Sequence, residues 1–299
     1  MTVSRLARTL SEARFAVTAE VGPPKLAAAR GMREKARLLR GWVDAVNVTD
    51  CQSAVVRLSS LAGCLHVQDE GVEAVLQVTC RDKNRIAIQS DLLGAASLGI
   101  RNVLCLTGDH QRFGNHPQAK GVFDLDSVQL LGVAKGLTEG RFANGETMKG
   151  PAPELLLGAV ENPTAGPPEL RALRLAKKVE AGARFIQTQG VFDLERFKQF
   201  MALVNARGLT QRAALLAGVI VLKSGRAARF MRENVPGIYI PEGLVERMER
   251  APDPREEGVA IAVETVRTLR EIPGVAGVHL MAIGWEEIMP RIVSEAGLR

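Results

Sequence analysis

Glu20 sits within an apolar run, after Ala16-Val17-Thr18-Ala19 and before Val21-Gly22-Pro23-Pro24. A carboxylate among apolar neighbours loses solvation, which favours its protonated form. A carboxyl group held protonated near neutral pH suits general acid catalysis. Pairing to an arginine for stability is the alternative use of such a residue. Thr107-Gly108-Asp109 ends a second apolar run. Gly108 lets the backbone approach a ligand closely, and Asp109 adds a carboxylate; an ordinary turn would have the same composition. Arg81-Asp82-Lys83-Asn84-Arg85 follows a third run and suits a phosphate or ribose, or a solvated loop. Ser224-Gly225-Arg226 opens a helical stretch, a place where anions bind to backbone N–H groups.

Other chemistries lack their residues. The histidines are His66, His110, His116 and His279, without the H-x-x-x-H or H-E-x-x-H spacing of a metal site. Cys51, Cys64, Cys80 and Cys105 form no C-x-x-C pair, so neither a zinc ribbon nor an iron–sulfur loop is expected, nor a secreted disulfide scaffold. The net charge of +6 fits an anionic ligand or serves solubility. The basic residues are dispersed and no aromatic-basic motif occurs, which argues against nucleic acid. No apolar stretch approaches the ~20 residues of a membrane span, and the N-terminus has no signal-peptide core. A cytoplasmic protein without membrane insertion is expected.

The elements that must position these residues alternate regularly. The patterning predicts strands over 15–21, 43–49, 74–79, 102–106, 155–160, 183–188, 214–222 and 275–283. Helices are predicted over 31–39, 53–67, 86–98, 126–137, 168–180, 194–205, 226–234, 258–271 and 285–296. Asp126-Ser127 reads as a helix cap and Gly99 as a helix stop. The strand runs are continuously apolar, as in parallel strands buried on both faces. Eight βα units close into a single (β/α)8 TIM barrel, a fold of about 250 residues. An open doubly wound sheet is the second choice. One catalytic domain over 1–299 is expected, with long loops at 112–121 and 139–153 and an irregular insertion at 235–257.

A barrel places its active site at the C-terminal strand ends. There stand Glu20, Thr49-Asp50, Gln77 and Thr79, Thr107-Gly108-Asp109, Glu161-Asn162, Gln187 and Gln189, and Lys223-Ser224. In this order the motifs resemble those of the methylenetetrahydrofolate reductase family. Thr18-Ala19-Glu20-Val21-Gly22-Pro23-Pro24-Lys25 resembles its first-strand motif, and Val46-Asn47-Val48-Thr49-Asp50 its second. Residues 78–85 and 98–109 are similar to its third and fourth units. Lys177-Lys178-Val179-Glu180-Ala181-Gly182-Ala183, with Gln187-Thr188-Gln189 and Phe192-Asp193, resembles its sixth.

The resemblance implies a (β/α)8 barrel that binds FAD and reduces 5,10-methylenetetrahydrofolate to 5-methyltetrahydrofolate. It implies Glu20 as the acid that protonates N10, and Asp109 between flavin and pterin. Gln189 and Gln187 would meet the substrate. Thr49, Gln77, Thr79, Gly108, Asp109, Phe123 and Lys178 match flavin-contacting regions. The chain departs from the family pattern in its aromatic and cationic residues. Ala19, Val21 and Gly22 replace aromatics beside the glutamate. Gln77 replaces a histidine, Val160 a tyrosine, and Gly190-Val191 two phenylalanines. An arginine is missing near Gly284-Trp285. Aromatic-poor members resemble the short reductases of anaerobic one-carbon metabolism, which work with a cysteine-rich partner subunit and electron-transfer proteins. FMN in place of FAD is an alternative. Two other readings remain: a flavin- and folate-binding assembly subunit without turnover, and a lyase using Lys223 as a Schiff-base amine.

Overall fold

The computed structural model describes residues 4–235 and 237–299. Eight parallel strands form a closed barrel in sequence order. They are β1 (Ala16–Val21), β2 (Ala45–Val48), β3 (Ala74–Thr79), β4 (Asn102–Leu106), β5 (Leu156–Glu161), β6 (Phe185–Gly190), β7 (Ala214–Ile220) and β8 (Val275–Met281). β1 closes the ring on β8, with Thr18 beside His279. The helices are α1 (Arg5–Ser11), α2 (Arg30–Leu39), α3 (Ser60–Asp69), α4 (Arg85–Ser97), α5 (Ser127–Thr138), α6 (Pro168–Ala181), α7 (Leu194–Ala206), α8 (Gly225–Asn234), α9 (Glu242–Arg250), α10 (Pro254–Arg270) and α11 (Met289–Glu295). The expected (β/α)8 barrel is thus the observed fold.

Side chains alternate across each strand. Val17, Ala19, Val21, Val46, Val48, Leu76, Val78 and Leu280 point outward into the layer between sheet and helices. Ala16, Ala45, Val75, Leu104, Phe185 and Leu216 point inward and, with Leu6 of α1, fill the barrel floor. Phe185 needs Gly158 opposite it, because a Cβ there would lie 2.2 Å from the ring. Above this apolar floor the inward positions become polar, and that change of lining creates the site.

The structure departs from the sequence expectations at several elements. The second helix begins at Ser60, not at 53, because Cys51, Ser53 and Ala54 adopt left-handed backbone and Ser59 caps the helix through Ala62 N–H. The sixth strand starts at Phe185 rather than 183, since Gly182, with φ of 130°, turns the chain there. The segment 235–257 is not wholly irregular. It contains α9, which buries Val245 and Met248 and ties Arg247 to Glu257 and Glu264. The helix α1, which no periodicity signalled, docks on the floor through Leu6. Among the described residues no helix is long and apolar enough to cross a membrane.

Candidate active site

The polar lining is a connected set of side chains. Asn47 Nδ2 donates to Gln187 Oε1 at 2.6 Å, and Gln187 Nε2 donates back to Asn47 Oδ1 at 3.1 Å. Gln187 Nε2 also donates to Thr18 Oγ1 at 3.1 Å. Thr18 Oγ1 lies 2.9 Å from His279 Nδ1. Thr18 Oγ1 accepts from Gln187, and both His279 Nδ1 and Val278 O, the latter at 3.4 Å, lie within reach of its own hydrogen. His279 Nε2 faces Glu20 Oε2 at 4.0 Å. All of these side chains except Glu20 are buried. A chain of hydrogen bonds therefore runs through the barrel interior to His279, whose ring faces the carboxyl group at the mouth.

Glu20 is half-buried, but its apolar neighbours in sequence do not desolvate it. Ala19 and Val21 point outward, away from the mouth, as strand alternation requires. Its surroundings are polar: Gln52 Nε2 donates to Oε1 at 3.1 Å, and His279 approaches Oε2. Glu20 and Gln52 line a cavity of about 240 Å³ with Lys35, Arg57, Ile283 and Glu286. In it Lys35 Nζ pairs with Glu286 at 2.9 Å. Ile283 also borders an apolar groove of about 570 Å³ over Ile220, Ala227, Phe230, Met231 and Val235, with Lys223 and Arg226 at its edge. Ile283 is the residue common to the two linings. A wider groove of about 670 Å³ lies at the opposite end of the barrel, beside Arg14, Arg184 and Arg212, and holds none of the candidate residues.

The second carboxylate is brought to the same mouth. Gly108, at φ of 90°, makes the turn that only glycine fits, since a Cβ would come 3.0 Å from Thr79 Cβ. Asp109 follows, exposed, and its Oδ2 accepts from Ser53 N–H at 3.1 Å. Thr79 donates from Oγ1 to Asp50 at 3.0 Å, so its hydroxyl hydrogen is already engaged. Thr49 differs: its hydroxyl is buried without a partner beneath the loop of Gly22. Gln77 points inward above Val75, by alternation in β3. Gln189, also inward, accepts from Gly190 N–H at 3.0 Å. Phe123 stacks on His110 with centroids 6.2 Å apart.

Three expected binding elements sit elsewhere or are occupied. Lys178 lies behind the sheet, donating to Val160 O at 2.6 Å and to Glu161 at 2.9 Å. The cations at 81–85 all have carboxylate partners. Arg81 bonds Asp82, which raises its pKa above the usual arginine value. Burial pulls the Lys83 ammonium down, but Asp50 and Asp91 outweigh it and hold it above the usual lysine value. Arg85 pairs with Asp124. The N-terminus of α8 is capped by Ser224 and packed on α9, where a Cβ at Gly225 would meet Glu249 at 2.4 Å.

His279, Thr18, Asn47 and Gln52 carry the lining, and none of them stood out from spacing. The available signal was the strand alternation, which puts Thr18 and Glu20 on one face. Among the described residues no cluster of three His, Cys, Asp or Glu could hold a metal.

Known proteins share this architecture, and some share about a quarter of the sequence over most of the chain. A protein from Clostridium thermocellum, described as binding two copies of 5-methyl-5,6,7,8-tetrahydrofolic acid, superposes with a TM-score of 0.66 at 14% identity, over 97% of both chains. A riboflavin lyase with modified FMN and riboflavin gives a TM-score of 0.58 at 9% identity, over 94% of this chain and 90% of that one. At these identities they show the fold alone. In sequence, methylenetetrahydrofolate reductase 2 of Schizosaccharomyces pombe is 27% identical over 77% of this chain and 37% of its own length. The 5,10-methylenetetrahydrofolate reductases of Salmonella typhimurium and Escherichia coli are 24% and 23% identical, over 77% of this chain and 72% of theirs. The chain thus spans about a third of the yeast and nematode relatives, 33–37% of their length. The family model for methylenetetrahydrofolate reductase matches residues 5–297, which takes in every strand, both mouth carboxylates and the lining between them. The chain therefore belongs to the methylenetetrahydrofolate reductase family.

Proposed function

We propose that this protein reduces 5,10-methylenetetrahydrofolate to 5-methyltetrahydrofolate with a flavin, and that Glu20 is its acid. The observation that carries the reading is the placement of Glu20. Its carboxyl group lies at the open end of the barrel, beside a buried polar chain that ends at His279, and lines a cavity whose Ile283 also borders an apolar groove. Glu20 would donate a proton to N10 of the substrate, opening the five-membered ring to an iminium at N5. The Asp109 carboxylate, exposed at the same mouth, would stabilise that cation. Gln189 would hold the pterin through the amide nitrogen that its bond to Gly190 leaves free. The groove past Ile283 suits an aminobenzoyl ring on Phe230 and Met231, with Arg226 and Lys223 near the glutamate carboxylates.

The mouth fits a flavin in two respects. Thr49 offers a buried hydroxyl without a partner, and Gly108 leaves the backbone bare for close approach. Gln77 and Phe123 border the same region, and Thr79 underlies it. A bound FAD, or FMN, would supply hydride to the one-carbon unit. Lys178 could reach such a group only by leaving Glu161. We further propose that the chain is the cytoplasmic catalytic subunit of a larger complex, fed by a cysteine-rich partner and electron-transfer proteins rather than by NAD(P)H alone. The thinned aromatic shell supports this, and the unpaired cysteines support the compartment. A flavin- and folate-binding subunit that only passes electrons is the alternative.

The test is Glu20→Gln. Folate reduction should fall by about 10²–10⁴-fold, while flavin content and 5-methyltetrahydrofolate binding are retained. Turnover at the wild-type rate would refute the assignment. Strong activity of the isolated chain with NADH would refute the partner.

A further inference from the structure

We propose that the turn Cys51–Ala54 is a strained clasp that sets both mouth carboxylates, with Gln52 as the positioning residue for Glu20. Cys51, Ser53 and Ala54 have φ of 44°, 57° and 55°. None is glycine, and such backbone persists only where its surroundings hold it. Several contacts hold it here. Val56 N–H donates to Asn115 Oδ1 at 3.1 Å, and Leu58 N–H donates to Pro24 O at 2.9 Å. The carbonyl of Ala54 is seated against Gly114, where a Cβ would lie only 1.8 Å from it. Arg57 Nη1 donates to Pro23 O at 3.1 Å, tying the turn's exit to the loop after β1.

What the strain delivers is two adjacent donors aimed at two different carboxylates. Gln52 Nε2 reaches Glu20 Oε1, and Ser53 N–H reaches Asp109 Oδ2, each at 3.1 Å. Glu20 lies near the end of β1 and Asp109 follows β4, and this one short segment reaches both. The amide suits this position chemically. It donates N–H to Oε1 whether the carboxyl group is ionised or carries its proton on Oε2. It therefore holds Glu20 at both ends of a proton transfer and cannot itself act as an acid or base near neutral pH. Oε1 is fixed by Gln52, which leaves Oε2, the oxygen nearer His279, for the proton. Held geometry of this kind lowers the barrier because the reacting group need not be oriented in the transition state.

This inference rests on the reading of Glu20 as the proton donor. The experiment compares Gln52→Leu, Gln52→Asn and Glu20→Gln in the flavin-loaded chain. The leucine variant keeps the side-chain bulk without a donor, and asparagine keeps the amide. Gln52→Leu should lower kcat for 5,10-methylenetetrahydrofolate by about tenfold to a hundredfold. Its KM, its affinity for 5-methyltetrahydrofolate and its Tm should stay near wild type, and Gln52→Asn should recover part of kcat. Wild-type kcat in Gln52→Leu with an inactive Glu20→Gln overturns the clasp and leaves the acid standing. Parallel losses of kcat, binding and Tm without recovery by asparagine also overturn it. An active Glu20→Gln overturns the acid assignment and the clasp together.

Discussion

Asn47 and Gln187 face each other across the barrel from β2 and β6 and exchange two amide hydrogen bonds, at 2.6 and 3.1 Å. Both side chains are buried, so neither finds water if its partner is removed. Asn47→Leu should destabilise the fold by about 1–3 kcal/mol, the cost of an unmade buried bond. Gln187→Leu should cost more, because it also takes the donor from Thr18. Urea unfolding of the single and double variants measures both. A double variant less stable than the sum of the singles would contradict the pairing.

Lys178 and Glu161 form a buried ion pair between α6 and β5, with side chains 6% and 2% exposed. Lys178→Met should cost about 3–5 kcal/mol, because it strands a buried carboxylate. Arg171, 3.9 Å from the same carboxylate, should keep the loss toward the lower end. Adding Glu161→Leu should recover most of it. Chemical denaturation checks the stability. Flavin content per folded protein shows whether Lys178 has a second role at the cofactor.

Ser53 pays a conformational penalty that glycine would not. Ser53→Gly keeps the N–H that Asp109 accepts and removes the left-handed cost at φ of 57°. It should gain up to about 1 kcal/mol, less the entropy of a freer unfolded chain. Differential scanning calorimetry should show a raised or unchanged Tm, with kcat preserved. A clear fall in Tm would mean that the serine side chain makes a contribution the contacts do not show.

The Asp124 carboxyl is held down at about 2 by Arg85, through its guanidinium and then its backbone N–H. An unfolded aspartate titrates near ~3.9. This stabilisation is therefore complete above ~3.9 and is lost as the pH falls through about 2. Arg85→Gln should lower Tm above that window, with the gap to wild type closing inside it. Thermal melts across the acid range would show the two curves converging. Parallel curves would exclude the pair as a source of acid sensitivity.

The barrel was legible because eight apolar runs alternate with helical stretches, and parallel strands read that way. What escaped was set by direction rather than composition. Glu20 was legible as a candidate acid, but its apolar sequence neighbours do not form its surroundings. Ala19 and Val21 face the helices, and the true neighbours, Gln52 and His279, lie 32 and 259 positions away. His279 sits in the last strand between Val278 and Leu280, with no spacing signature of its own. Positions 53 and 54 read as the start of a helix because serine and alanine tolerate one. In the fold the turn is left-handed there and is held by contacts with Gly114, Asn115 and the loop after β1.

Gly114 touches neither carboxylate, and in the sequence it is one more residue of a loop. Yet a single methyl group there cannot coexist with the carbonyl of Ala54. Variation at this position would be felt at Glu20, 94 positions earlier in the chain, by way of Gln52. Changes in this chain should therefore be weighed by the geometry they transmit, and a loop glycine with no chemistry of its own can rank beside the proposed acid in the damage that its loss causes.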